Sequence, residues 1–205
     1  GGEKSALQFD GKNDLVATQS LGLTGQYTFE YWIKSPKNFN YAWNSNEIQS
    51  GWLQSGIRTT NYTCTEFNVE HFGNGASSST SWAITNFCDN EWHHFVLTYD
   101  GISKANLFVN GISLGEKNIS PPVWQNRNCS FFNFSNSQTS YFVDEIRVSN
   151  AVRYTENFTP QTTPFVRDEF TKLLLHFDEN GDDPRNTGKA IDDSGNGNHG
   201  TITGA

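Results

Sequence analysis

Apolar and polar residues alternate with a period of two along most of the chain, the pattern of strands with a buried face. In YTFEYWIK, Tyr27, Phe29, Tyr31 and Ile33 share one face; in EWHHFVLTYDG, His93, Phe95, Leu97 and Tyr99 oppose Trp92, His94, Val96 and Thr98. ANLFVNG predicts a strand closed by Asn110-Gly111, a dipeptide suited to the left-handed backbone of a tight hairpin, and ISLGEK returns from it. YFVDEIRV and KLLLHFDE predict two more strands. SNAVRYTENFTP breaks the alternation and predicts a turn or short helix crossing an end of the sheets, while the Pro- and Thr-rich TPQTTPFVRDEF reads as a linker. The polar interval from Asn38 to Gly56 predicts a long surface loop carrying Tyr41, Trp43 and Trp52.

Composition narrows this picture. A chain of 205 residues fits one large domain of β-sandwich size, or two small ones, and has room for a substantial core. Abundant aromatics with many Thr, Ser, Asn and Gly favour strands and turns, so the predicted class is all-β. The net charge of −8 comes without any run of Lys or Arg, which argues against a nucleic-acid partner. No apolar run approaches the roughly 18 residues of a spanning helix, and none of the opening residues resembles a signal peptide. The sequence has no Met, which predicts a mature or trimmed product.

Five Asn-x-Ser/Thr sequons, at Asn61, Asn118, Asn128, Asn133 and Asn157, suggest a secreted or cell-surface glycoprotein. Pro follows the sequons of Asn118 and Asn157, and Asn128 and Asn133 lie five apart on one predicted strand, where alternation sends them to opposite faces. Asn61 is the most favourable of the five. Cys64 and Cys88 are each twelve residues from Ala76, so a hairpin turning at GNGASSS sets them opposite one another. That pairing suits a cross-strand disulfide in an oxidising compartment; two unconnected thiols are the alternative. Cys129 is left odd.

ALQFDGKNDLV, YTFEYWIK, EWHHFVLTYDG, ANLFVNGISLG and FVDEIRVSNAVRYTENFTP, in that order, resemble the laminin-G-like modules of the concanavalin A-like jelly-roll superfamily. The resemblance implies a two-sheet antiparallel jelly-roll sandwich, with a body over residues 1–160, a linker over 161–171 and a strand segment over 172–205. It also implies that LLLHFDE and DSGNGNHGTIT, which in such modules precede ALQFDG, are displaced to the end of the chain. Two arrangements follow: the tail folds back on its own body, or it completes the sheets of the next copy and builds a head-to-tail filament.

Candidate chemistry is sparse. Glycoside hydrolysis needs two carboxyl groups about 5–10 Å apart, and the alternating acidic residues of glycosidase relatives are not repeated here. Asp144 and Glu145 are adjacent, hence on opposite faces, and Glu30 has no acidic neighbour two or four residues on, so no enzyme is expected. His93 and His94 diverge from a strand and read as structural. Alternation places Asp144 with Phe142, Ile146 and Val148 on an apolar face, where a carboxylate must be paired, hydrogen-bonded or metal-bound. The family resemblance implies a structural Ca²⁺ there, with Asp178 as a second candidate ligand. Tyr41, Trp43, Trp52 and Trp124 are candidates for a sugar-stacking platform, a contact with another copy, or a cap on the sandwich. The leading expectation is a non-catalytic extracellular structural or adhesive unit that self-assembles through its tail; the alternative is a monomeric carbohydrate-binding lectin domain.

Overall fold

The computed structural model describes residues 6–10, 13–36, 43–51, 55–73, 76–135, 140–178 and 188–204. Among these residues every element is a strand, and two antiparallel sheets pack face to face as a jelly-roll sandwich. The front sheet holds β1 (Leu7–Phe9), β3 (Tyr27–Lys34), β8 (Trp92–Tyr99), β9 (Lys104–Val109), β10 (Ile112–Asn118), β12 (Tyr141–Ser149) and β13 (Thr171–Leu175). Its order is β1-β12-β3-β8-β9-β10, with β13 also paired to β12. The back sheet holds β2 (Leu15–Thr18), β4 (Trp43–Gly51), β5 (Ser55–Thr63), β6 (Glu66–Gly73), β7 (Ala76–Ala83), β11 (Cys129–Ser135), β14 (Lys189–Ala190) and β15 (Gly200–Thr203), in the order β14-β15-β2-β11-β4-β5-β6-β7.

The period-2 faces meet between the sheets. Tyr27, Phe29, Tyr31 and Ile33 from β3 and Phe95, Leu97 and Tyr99 from β8 are buried in one core. There Phe29 lies 5.7 Å from Phe131, and Phe67 lies 5.8 Å from Phe95, joining front sheet to back. Each such side chain contributes about 1.5–3 kcal/mol by leaving water. Asn110 and Gly111 turn the β9–β10 hairpin with φ of 51° and 79°. Gly111 is required twice over, since a Cβ there would run into the carbonyl oxygen of Phe158.

The interval expected to be a surface loop contains β4 and the start of β5. Its strand signal is hidden because one inward residue is polar: Asn46 is buried beside Ile48. Its Nδ2 donates to Thr59 Oγ1 at 3.2 Å and its Oδ1 accepts Phe132 N at 3.0 Å, which satisfies the backbone where β11 bulges. Burial of Asn46 is therefore compatible with the core.

Residues 150–170 form bends and irregular backbone, the turn rather than the short helix of the two expected forms, and no free linker. They lie as a strap across the outer face of the front sheet. Phe158 N donates to Gly111 O, Phe165 is buried with Arg147 stacked over its ring at 4.3 Å, and Arg153 makes a two-pronged ion pair with Asp168. The strap explains why outward-facing Thr28, Glu30, His94 and Val96 are as buried as the core.

The tail beyond the strap completes this chain's own sheets. Ile146, Arg147 and Val148 of β12 pair with Leu175, Leu174 and Leu173 of β13, and Leu15, Val16 and Ala17 of β2 pair with Thr203, Ile202 and Thr201 of β15. The DDSGNGNHG turn is stitched by Asp192, whose carboxylate accepts from the backbone nitrogens of Leu174, Ser194 and Asn198.

His176, just past β13, binds Glu145 through Nδ1 at 2.9 Å, and the same carboxylate accepts Phe165 N from the strap. The Glu145 hydrogen bond raises the His176 pKa above its ordinary value despite opposing desolvation, and Asp193 and Asp178 add to the rise. A raised histidine pKa gives stability that is fully present below the unfolded value of about 6.5 and is lost as pH rises through the folded value. We expect urea midpoints to fall as pH is raised above about 6.5, and His176→Gln to flatten that fall.

Candidate functional site

The strap does not cover the whole outer face of the front sheet. Beyond it lies a groove of about 780 Å³ lined by Ala6, Trp32, Lys34, Trp92, Phe142, Asp144 and Thr162. Strand register builds its floor. Phe142, Lys34 and Trp92 sit opposite one another across β12, β3 and β8, and Asp144, Trp32 and His94 form the next row. Thr162 comes from the strap and Ala6 from the residue before β1.

Asp144 faces this floor directly opposite Trp32, and β12 bulges immediately after it. Glu145 has a φ of +55°, and the register with β3 shifts between Asp144 and Arg147. The expected face of Phe142, Asp144, Ile146 and Val148 is therefore broken: Phe142 and Asp144 line the groove, whereas Ile146 and Val148 enter the core. The bulge also reaims Glu145, which binds the strap and His176 at the outer side instead of entering the core opposite Asp144.

Trp32 is held from behind. Its ring stacks on His94 with centroids 4.9 Å apart and planes 24° apart, and His94 is fully buried with Phe158 and Phe165 packed against it. His94 Nε2 faces Glu30 Oε2 at 3.4 Å, while Arg147 Nε donates to Glu30 Oε1 at 2.7 Å and Tyr154 Oη donates to Glu30 Oε2 at 3.1 Å. Burial pushes the Glu30 carboxyl up, but His94 and Arg147 overcome it and hold it below the usual carboxylate range. Burial and neighbouring Glu30 push Tyr154 up to about 12. This network sits under the strap, and its role is to fix the floor.

The other expected site residues are dispersed. Asp178 is exposed and near His176, and no group of three or more His, Cys, Asp or Glu side chains able to hold an ion occurs among the described residues. Calcium favours six to eight oxygen ligands, and among the described lining residues Asp144 and Thr162 carry side-chain oxygens. His93 and His94 diverge: His93 Nε2 meets Asp89 at 2.9 Å on the opposite side from the Trp32 stack. Trp124 packs edge-on to Tyr27 at 6.1 Å, partly buried against the core. Trp43 lies in β4 with its side chain outside the described residues, as are Tyr41 and Trp52 altogether.

Asn118, Asn128 and Asn157 are exposed, and Asn157 Oδ1 accepts Ser113 N. The side chains of Asn61 and Asn133 lie outside the described residues, although their backbones belong to β5 and β11. The opposite-face argument for Asn128 and Asn133 does not apply, since Asn128 precedes β11 and that strand bulges between Ser130 and Asn133. Cys64 and Cys88 are disulfide-bonded with Cα atoms 5.6 Å apart, and Cys129 is a buried free thiol. The bridge lies beyond the ladder, joining the β5–β6 turn to the loop after β7, where Phe87 N donates to Cys64 O.

Trp32, Lys34, Trp92, Phe142 and Thr162 were not singled out by the sequence. The signal was present in part: alternation puts Trp32 and Trp92 on the face opposite the core residues of β3 and β8.

A laminin-G family model, described as the concanavalin A-like lectin/glucanases superfamily, matches residues 10–157. The chain belongs to this superfamily. Among solved structures, this lectin-like sandwich is similar to a proposed carbohydrate binding protein from Bacteroides ovatus, with a TM-score of 0.68 and 15% identity over 98% of this chain and 59% of that one. It is also similar to the binding domain of botulinum neurotoxin serotype D, with a TM-score of 0.58 and 12% identity over 76% of this chain and 40% of that one. These likenesses concern the fold. A segment of 46 residues, 20% of this chain, is 41% identical to Calsyntenin-1 of Drosophila melanogaster and spans 5% of that protein.

Proposed function

We propose that this chain is a non-catalytic, extracellular carbohydrate-binding module whose ligand lies in the groove of the front sheet. The observation that carries this reading is the convergence of Trp32, Trp92 and Phe142 with Asp144, Lys34 and Thr162 on one solvent-facing patch. Aromatic faces take the apolar C–H faces of pyranose rings, and a few polar groups between them orient the hydroxyls. Trp92 is 38% exposed, which leaves its ring accessible. Asp144 is the one carboxylate among the described lining residues.

The Cys64–Cys88 bridge and the exposed sequons fit an oxidising, secretory setting, as does the typical extracellular placement of laminin-G-like domains. No helix among the described residues is long and apolar enough to cross a membrane. Between the two expected readings, the wrapped strap and the tail paired to its own β12 and β2 favour the monomeric lectin over the strand-donating filament. An array of immobilised glycans probed with the intact chain tests the proposal. We expect at least one glycan class to retain the chain, and Trp92→Ala to weaken that binding about tenfold or more, a loss of about 1.4 kcal/mol or more, as when an aromatic anchor of a binding site is truncated. Retention equal for both chains would sink the groove as the site.

A further inference from the structure

We infer that the groove takes an internal stretch of a neutral, linear glycan, spanning at least two pyranose rings, and discriminates against glycans bearing carboxylates or sulfates. The inference rests on the carbohydrate reading and specifies the ligand class. Three features lead to it.

The first is the spacing of the indoles. Trp32 lies opposite His94 and Trp92 lies opposite Lys34, so the two tryptophans are diagonal neighbours across β3 and β8. Diagonal positions are roughly 7–8 Å apart, or somewhat less between Cβ atoms, a spacing that offers each of two successive rings its own indole. A groove of about 780 Å³ also falls within the roughly 300–1,000 Å³ of sites that hold multi-ring ligands.

The second is rigidity. Trp32 is backed by fully buried His94, itself held against Glu30, Phe158 and Phe165. A platform already fixed in the free protein loses little freedom when a sugar stacks on it.

The third is charge. Asp144 is only 5% exposed yet lines the floor, and a carboxylate has several acceptor positions for sugar hydroxyls. A ligand anion would be brought against that carboxylate in a poorly solvated place, and the chain's net charge of −8 repels polyanions at longer range. Lys34, in the adjoining row, disfavours a cation against the same rings and supplies a donor to ring or hydroxyl oxygens. Among the described lining residues one acid and one base leave no net charge. A neutral, hydroxyl-rich polymer satisfies both.

The test is calorimetric titration of the intact chain with neutral hexasaccharides of β-1,4-glucose, β-1,3-glucose, β-1,4-mannose, β-1,4-xylose and β-1,4-N-acetylglucosamine. Hexagalacturonate and a heparin hexasaccharide serve as anionic probes. We expect at least one neutral hexasaccharide to bind at least tenfold more tightly than its monosaccharide and than either anionic probe, and Asp144→Asn to weaken that binding about tenfold. Tighter, Trp92-dependent binding of an anionic probe would overturn the inference while leaving the carbohydrate reading in place. Equal affinity for hexasaccharide and monosaccharide would overturn the two-ring claim, and unchanged affinity in a folded Asp144→Asn would overturn the role of Asp144. Should Asp144→Asn fail to fold, the neutral-versus-anionic and size comparisons on the unaltered chain still decide. No binding of any saccharide rejects the carbohydrate reading itself.

Discussion

Removing residues 169–205 is expected to abolish folding of the chain, with no cooperative thermal transition and loss of near-ultraviolet circular dichroism. The deletion takes β13, β14 and β15, and with them Leu173, Leu175, Phe177 and Ala190 from the core. It also exposes the edge of β12 where Ile146, Arg147 and Val148 are paired, and the edge of β2 where Leu15, Val16 and Ala17 are paired. Truncating one buried leucine costs about 2–5 kcal/mol. Losing two leucines, a phenylalanine and two strand pairings exceeds the roughly 5–15 kcal/mol by which domains are stable. A sigmoidal melt from the shortened chain would show instead that the tail decorates a self-sufficient body. In the intact 205-residue chain, sedimentation should give a compact monomer at all concentrations, because β12 and β2 are paired by its own tail.

The second large effect concerns the ion pair under the strap. Arg147→Met should destabilise the protein by about 3–5 kcal/mol, the cost of leaving a buried carboxylate without its partner. Glu30 is fully buried, and Arg147 donates to it at 2.7 Å while stacking over Phe165. Changing both residues together, Glu30→Gln with Arg147→Met, should recover part of the loss, since the uncompensated charge is gone. A chemical-denaturation midpoint unmoved by Arg147→Met would mean that the strap is not anchored through this pair. The same variant should weaken glycan binding, because His94 and Trp32 rest on Glu30.

Acid should also loosen the strap from its outer end. Arg153 hydrogen bonds hold Asp168 well below the usual carboxylate range, against a smaller opposing effect of burial. A depressed carboxylate pKa gives stability present above the unfolded value of about 3.9 and lost as pH falls through the folded value. Proteolysis within residues 150–170 should therefore accelerate in strong acid before the core unfolds, and Arg153→Gln should remove that extra sensitivity.

Much of the fold could be read from alternation because the core faces of β3 and β8 are uniformly apolar. Where the reading failed, a specific feature hid the pattern. β4 places Asn46 inward to serve the bulge in β11, so it looks like loop. The strap lacks periodicity because its contacts are single anchors, Phe158, Phe165 and Arg153, spaced by the sheet beneath it and not by a helix. Alternation marks Asp144 as an acid needing an explanation but predicts the wrong companions for it, since a bulge at Glu145 reverses alternation and leaves no mark in composition. Trp32 and Trp92 were legible as outward residues, but two sequence-distant tryptophans become one platform only once the β3–β8 register is known.

The central claim is that sugar binds on the front sheet beside Trp32 and Trp92. It is tested most directly by the indole N–H resonances of the six tryptophans, assigned in the ¹⁵N-labelled chain and followed as the best-retained neutral hexasaccharide is added. The account predicts saturable shifts for Trp32 and Trp92, with Trp82, buried on β7, and Trp124, set edge-on to Tyr27, left in place. Saturable shifts at Trp43, Trp52 or Trp124, with Trp32 and Trp92 unmoved, would contradict it and move the binding site off the front-sheet groove.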